Sequence, residues 1–257
     1  MASNPPGACC IQGFKHKGTP SGETKQIGDI NTYFAYPNDS NQKTDTAILF
    51  ITDLFGVHHN AKLLADDFAS SGYLTVMPDL FQGDQVGLNE IGTAAFDLFE
   101  WLGRHGAEKV DPVIEAAVKY IRENLGIKRI GAVGYCFGGK YVCRFLKDGK
   151  IDVGYTAHPS FVSREELGGV AGPLAISAAE TDTIFTTKLR HESEEILAKT
   201  NQPWQIHLFS GVQHGFAVRG DLSDPKVKFA KEQAFVQAVT WFNHHLETDG
   251  STKESNL

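Results

Sequence analysis

The sequence has no apolar run long enough to cross a bilayer, and residues 1–10 have neither a basic start nor an apolar stretch of signal-peptide length. A protein that does not contact a membrane is therefore expected. Basic residues are in deficit: 24 Lys and Arg against 31 Asp and Glu give a net charge of −7, and no basic cluster interrupts the chain. That balance excludes an electrostatic nucleic-acid surface. Cysteine is scarce. Cys9, Cys10, Cys136 and Cys143 are not spaced as a disulfide framework, which suits a reducing compartment and a cytoplasmic location. No Cys-x-x-Cys occurs, and the neighbouring histidines His58-His59 and His244-His245 lack metal-ligand spacing, so no metal or other cofactor is expected. Ala2 rules out N-myristoylation, Cys9-Cys10 has no amphipathic context for an acyl anchor, and Ser255-Asn256-Leu257 lacks the central Lys of a peroxisomal address.

No internal repeat and no long low-complexity linker is present either. At 257 residues and 41% apolar content, the chain is read as a single domain over 1–257, with residues 1–28 as a loop-rich cover and 248–257 as a flexible tail. Between them, strand-like and helix-like segments alternate. Strands are expected near 32–36, 46–52, 73–77, 130–133, 152–157, 173–178 and 204–209; the run Ala47-Ile48-Leu49-Phe50-Ile51 is the kind covered on both faces. Helices are expected at 61–70, 90–104, 112–125 (with Pro112 near its start), 186–199, and along a last segment placing Phe235, Ala238, Val239, Phe242 and Leu246 on one face. The alternation predicts an α/β fold with a mostly parallel central sheet and helices on both faces. In such a sheet the loops at the carboxyl ends of the strands converge on one cleft.

The segment from Ile130 into Gly134-Tyr135-Cys136-Phe137-Gly138-Gly139 is a strand, a sharp turn and a helix start, with small residues two before and two after one nucleophilic side chain. This is the nucleophile-elbow pattern with Cys in place of the commoner Ser. A thiol there stands at a helix N-terminus, where a thiolate is favoured, and the backbone N–H of Phe137 can face a developing oxyanion. The turn alone also fits a buried structural thiol. Two later loops single out the chemistry. Glu180-Thr181-Asp182 follows one strand and His214-Gly215-Phe216 follows the next, and nucleophile, acid, histidine is the chain order of an α/β-hydrolase triad.

With Asp182 and His214-Gly215-Phe216-Ala217 at fitting separations from that elbow, the chain resembles the dienelactone hydrolase family (carboxymethylenebutenolidases) of the α/β-hydrolase superfamily, over roughly residues 32–245. The resemblance implies an α/β-hydrolase fold and hydrolysis of a small ester or lactone through an acyl-thiol on Cys136, with His214 as base and Asp182 orienting it. Glu180 is the rival acid. The family's second oxyanion N–H would fall on Leu54. Asp53 stands where the family often carries Glu, which helps to deprotonate the thiol, and its shorter side chain reaches less far. Arg219, five residues after His214, is the candidate for holding a substrate carboxylate; in some relatives the arginine lies one residue closer, where this chain has Val218. A basic residue that often follows Pro-Asp-Leu is also missing, since Pro78-Asp79-Leu80-Phe81 leads to Gln82-Gly83. These departures imply a substrate other than dienelactone itself. Phe81, His158, Phe161 and Trp101 are expected to shape a more apolar acyl pocket. Two other readings of the same thiol remain: acyl transfer or thioester cleavage, and a redox-sensing or binding protein without turnover. The expected partner is a small ester or lactone, with no nucleic acid and no membrane, acting on a monomer or homodimer.

Overall fold

A computed structural model describes residues 1–7, 13–38, 40–87 and 96–246. Cys9, Cys10, the first part of the expected 90–104 helix and the 248–257 tail lie outside the described residues.

Eight strands form one sheet in the order β1-β2-β4-β3-β5-β6-β7-β8. β1 (Glu23–Ile27) and β2 (Ile30–Ala35) form a hairpin closed by Gly28-Asp29, where Gly28 takes the positive φ of 58° that a two-residue turn needs. β2 is antiparallel to β4 (Leu74–Pro78), and from β4 onwards every pairing is parallel. β3 (Thr46–Ile51) is buried at all six residues. Its side chains alternate between two cores: Ala47, Leu49 and Ile51 face one, Ile48 and Phe50 the other. Helix α3 (Ala107–Lys119) fills the first core with Val110, Val113, Ile114 and Ala117. The second is closed by α1 (His59–Ser70) and by α8 (Pro225–Leu246), which begins on proline as an N-terminal helical position allows. The other α-helices among the described residues are α2 (Leu98–Arg104), α4 (Phe137–Phe145), α5 (Arg164–Gly168), α6 (Thr187–Leu197) and α7 (Phe216–Arg219).

Several boundaries differ from the sequence reading. The loop-rich cover contains β1. The third helix begins at Ala107, not near Pro112, and ends in a π-turn over Tyr120–Asn124. Pro112 is tolerated inside it because the carbonyl it cannot bond belongs to Glu108, which is exposed to water. β7 (Leu174–Thr181) and β8 (Trp204–Gln213) both run beyond their expected ends. That extension matters for the site. After a register shift between Ala179 and Thr181, Thr181 pairs with Gln213, so the residues that follow, Asp182 and His214, leave the sheet side by side. β5 (Arg129–Tyr135) and β6 (Val153–Ala157) repeat the arrangement: Tyr135 pairs with Ala157, so Cys136 emerges next to His158.

Candidate active site

Cys136 links β5 to α4 (Phe137–Phe145) with φ 51° and ψ −111°, a strained conformation for a residue with a Cβ. The surroundings hold it there. Its N–H donates to the Ala157 carbonyl at 3.2 Å, while its own carbonyl accepts from Gly139 at 3.0 Å and Ser160 at 2.9 Å. A Cβ on Gly134 would stand 2.5 Å from the Gly138 carbonyl oxygen, and one on Gly138 would run into the backbone of Ile51. The small residues of the elbow are therefore dictated by the strand in front and the helix behind. The thiol is fully buried, with the Ser160 hydroxyl 3.7 Å from Sγ.

His214 and Asp182 are buried as well, and Nδ1 of the imidazole lies 2.9 Å from Asp182 Oδ2. The other carboxylate oxygen of Asp182 accepts from the N–H groups of Ile184 (2.7 Å) and Phe185 (3.0 Å), which fixes the plane it offers to the histidine. Burial alone would push the imidazole down. The negative charge of Cys136 and side-chain hydrogen bonds to Asp182 and Cys136 outweigh it and raise His214 to about 10. The imidazole thus interacts with the Asp182 carboxylate and with the Cys136 thiol. Glu180 is turned outward, exposed, accepting from the Gly211 N–H at 2.7 Å.

Asp53 and Arg219, to which the sequence reading gave separate tasks, come together. Arg219 Nε lies 3.7 Å from Asp53 Oδ2, both side chains are out of solvent, and the guanidinium sits over the Phe55 ring at 5.4 Å. Asp53 Oδ1 accepts from the Phe55 N–H at 3.1 Å. Leu54 is fully buried, its carbonyl taking the Val86 N–H at 3.0 Å.

The side chain of Phe137 leads into an aromatic wall: Phe81 stands 5.4 Å away, Trp101 6.3 Å and Phe161 6.4 Å between ring centroids. Phe81 in turn packs on Trp101 at 4.8 Å. His158, fully buried with φ 39°, sets its ring 4.8 Å from that of His214. Burial first, and then the positive charges of His214 and Arg219, hold its pKa well below the usual histidine range, so the second imidazole is neutral.

The sequence reading gave two features no task, although it set Ser160 in a loop at the carboxyl ends of the strands, on the expected rim of the site. Ser160 reaches the thiol, and the only sequence signal for it was its position in the loop after β6. The other is the N-terminal strap. Ala2 and Ser3 donate to the Val162 carbonyl (2.8 and 3.1 Å), the Asn4 N–H donates to Ile184, and Phe161 donates to Asn4, both at 2.9 Å. These bonds tie the loop after β6 to the loop that carries Asp182. They are backbone contacts, which no side-chain pattern announces. Among the described residues no group of three or more His, Cys, Asp or Glu is placed to hold a metal, and no helix is long and apolar enough to cross a membrane.

Comparison with known proteins returned a match of residues 30–246 to the model of the Dienelactone hydrolase family. Hydrolase pyvD of Aspergillus violaceofuscus is 50% identical, covering 96% of this chain and 100% of its own. Hydrolase tropI of Talaromyces stipitatus is 49% identical over 96% of this chain and 99% of its own. Among solved structures, a provisionally named dienelactone hydrolase from Klebsiella pneumoniae superposes with a TM-score of 0.72 at 14% identity, covering 88% of this chain and 99% of that one, which bears on the fold.

Proposed function

Because the chain belongs to the dienelactone hydrolase family and is thereby a hydrolase of esters or lactones, we propose that it cleaves a small ester or lactone through an acyl-thiol on Cys136, with Asp182 and His214 completing the triad. The observation that carries this reading is the buried His214, 2.9 Å from Asp182 and raised by its interaction with the strained elbow thiol. A histidine raised to about 10 is an imidazolium at neutral pH, and its counter-charge is a thiolate. The thiolate attacks the substrate carbonyl, and the C–S bond forms as the carbonyl electrons move onto oxygen. The N–H groups of Phe137 and Leu54 receive that oxyanion. Collapse breaks the C–O bond, and the leaving alkoxide takes the proton of the His214 imidazolium.

Acylation then resets the histidine. Once sulfur is acylated its negative charge is gone, and with it the charge and the hydrogen bond from Cys136 that held the imidazole up. Neutral His214 is left as a base, oriented by Asp182, and takes a proton from the water that attacks the acyl-thiol. Expulsion of the thiolate restores the starting ion pair and releases the acid. Phe81, Phe161 and Trp101 supply an apolar wall of edge-to-face rings for the acyl group, while Asp53 and Arg219, paired behind the oxyanion loop, orient its backbone and the turn after His214. The enzyme acts as one domain over 1–257, and the cysteine pattern suits the cytoplasm. Intact-mass measurement after mixing with an activated ester is expected to show one acyl group on Cys136 that disappears as free acid is released. Absence of an adduct in wild type, or full turnover in Cys136→Ala, refutes the acyl-thiol. Transfer of the acyl group to an added alcohol or thiol in preference to water would make the protein an acyltransferase.

A further inference from the structure

The two edges of the sheet are built differently. β1 has five residues and displays Glu23 and Lys25 to solvent, the charges that discourage an edge from pairing with another chain. β8 has ten residues, WQIHLFSGVQ, without Lys, Arg, Asp, Glu or Pro, and among the described residues it is paired on one side only, with β7. Trp204 and Leu208 are 36% and 49% exposed along it. Beside it α8 exposes Phe229 (62%) and Val236 (52%), and Gln233 and Thr240 complete an uncharged stripe at helical spacing. A groove of about 320 Å³ runs between strand and helix, lined by Gln205, His207, Phe209, Phe229, Gln233 and Val236. A long, uncharged strand edge flanked by exposed apolar side chains is an aggregation hazard unless something covers it.

We propose that β8 and the Phe229–Thr240 face of α8 form the two-fold interface of a homodimer, in which the β8 strands of two copies pair antiparallel and join the sheets edge to edge. A second copy fits this surface for three reasons. Antiparallel pairing about a two-fold axis normal to the sheet is self-complementary, so each unpaired N–H and C=O on one copy meets its match on the other with no further surface required. The same axis leaves both α8 helices on one face of the joined sheet, so the two apolar stripes face each other. Charge agrees: copies carrying −7 repel in general, and this face lets them meet where the strand and the stripe contribute no Lys, Arg, Asp or Glu. The strand, regular over Trp204–Phe209 and bulged beyond it, spans about 25 Å, and with its flanking helix, about 20 Å across together, it covers roughly 500 Å² per copy, or about 1,000 Å² in all, the lower bound of a specific interface.

The test is sedimentation velocity of the full chain between about 1 and 50 μM, with Leu208→Lys and Phe229→Glu measured separately. Wild type is expected at twice the chain mass. Each charge substitution is expected to weaken dimerisation at least tenfold while circular dichroism and ester turnover stay at the wild-type level. Neither residue touches the triad, so a failure of the proposed chemistry leaves this readout intact. If Leu208→Lys misfolds, Phe229→Glu on the exposed helix face decides alone. A wild-type monomer throughout that range, a dimer that survives both substitutions, or occupation of this face by a different protein overturns the proposal.

Discussion

In the proposed reaction each neighbour of Cys136 has a separable physical task, and single substitutions read them apart. Cys136→Ala is expected to lower turnover of an activated ester by at least about a thousandfold, measured by steady-state kinetics, with the circular dichroism spectrum unchanged. Asp182→Asn removes the acceptor that fixes the His214 ring and is expected to lower kcat by about a hundredfold or more, whereas Glu180→Gln, at an exposed side chain that accepts from the Gly211 N–H, is expected to stay within about twofold. The pH profile carries its own sign. In the proposed acyl-thiol reaction His214 must be protonated to give its proton to the leaving alkoxide, and with its raised value of about 10 the expectation is that kcat/KM falls as pH rises through about 10. The Asp182 hydrogen bond is one cause of that elevation, so in Asp182→Asn the alkaline limb moves to lower pH. A limb near the ordinary histidine value in wild type would contradict the ion pair. The elbow and the two later loops were legible in sequence because strain and triad order leave residue-type signatures. The pairing of Arg219 with Asp53 was not, since a charge in a sequence does not say which opposite charge folding brings to it.

Among elements, the elbow shows how a strand and a helix dictate glycine. A methyl group on Gly138 meets the carbonyl of Ile51 on β3, so Gly138→Ala is expected to destabilise the protein by about 1–3 kcal/mol, read by urea denaturation. The same shift would move the Phe137 N–H, so activity on the residual folded protein should fall as well. The β7–β8 pair shows the opposite case. Its hydrophobic cores, Leu174 to Ala179 and Trp204 to Phe209, were plain from residue type, but Glu180-Thr181 and Ser210-Gly211 look like loop. Inter-strand hydrogen bonding carries the ladder through them, and it is the Thr181–Gln213 pairing that sets Asp182 beside His214. Likewise Pro112 signals a helix start, and its helix begins five residues earlier because water can satisfy the Glu108 carbonyl.

Across the whole molecule, the N-terminal strap couples loops that the sheet leaves independent. Deleting residues 1–4 removes the bonds from Ala2, Ser3 and Asn4 to the loops after β6 and β7. Each contributes about 0.5–1.5 kcal/mol before the entropy of ordering the strap is subtracted, so a net loss of about 1–3 kcal/mol is expected by thermal denaturation. Because those loops carry Ser160 and Asp182, kcat should fall too; an unchanged kcat would show that the loops hold their own shape. A loop-rich cover was the expectation for this region. Its composition, rich in Gly, Pro and Ser, says that it forms little regular structure and says nothing about where it docks.

The order of strands and helices, the strained thiol turn, and the acid and histidine after later strands were written in the sequence, because each depends on residue type and short-range spacing. Distances between them belong to the tertiary structure. Which carboxylate reaches the imidazole, which base faces Arg219, and that Ser160 lies beside the sulfur are settled by sheet register and by loops folding over its carboxyl edge. A one-residue slip in that register would turn the same side chains to opposite faces, and nothing in a linear chain states which register wins.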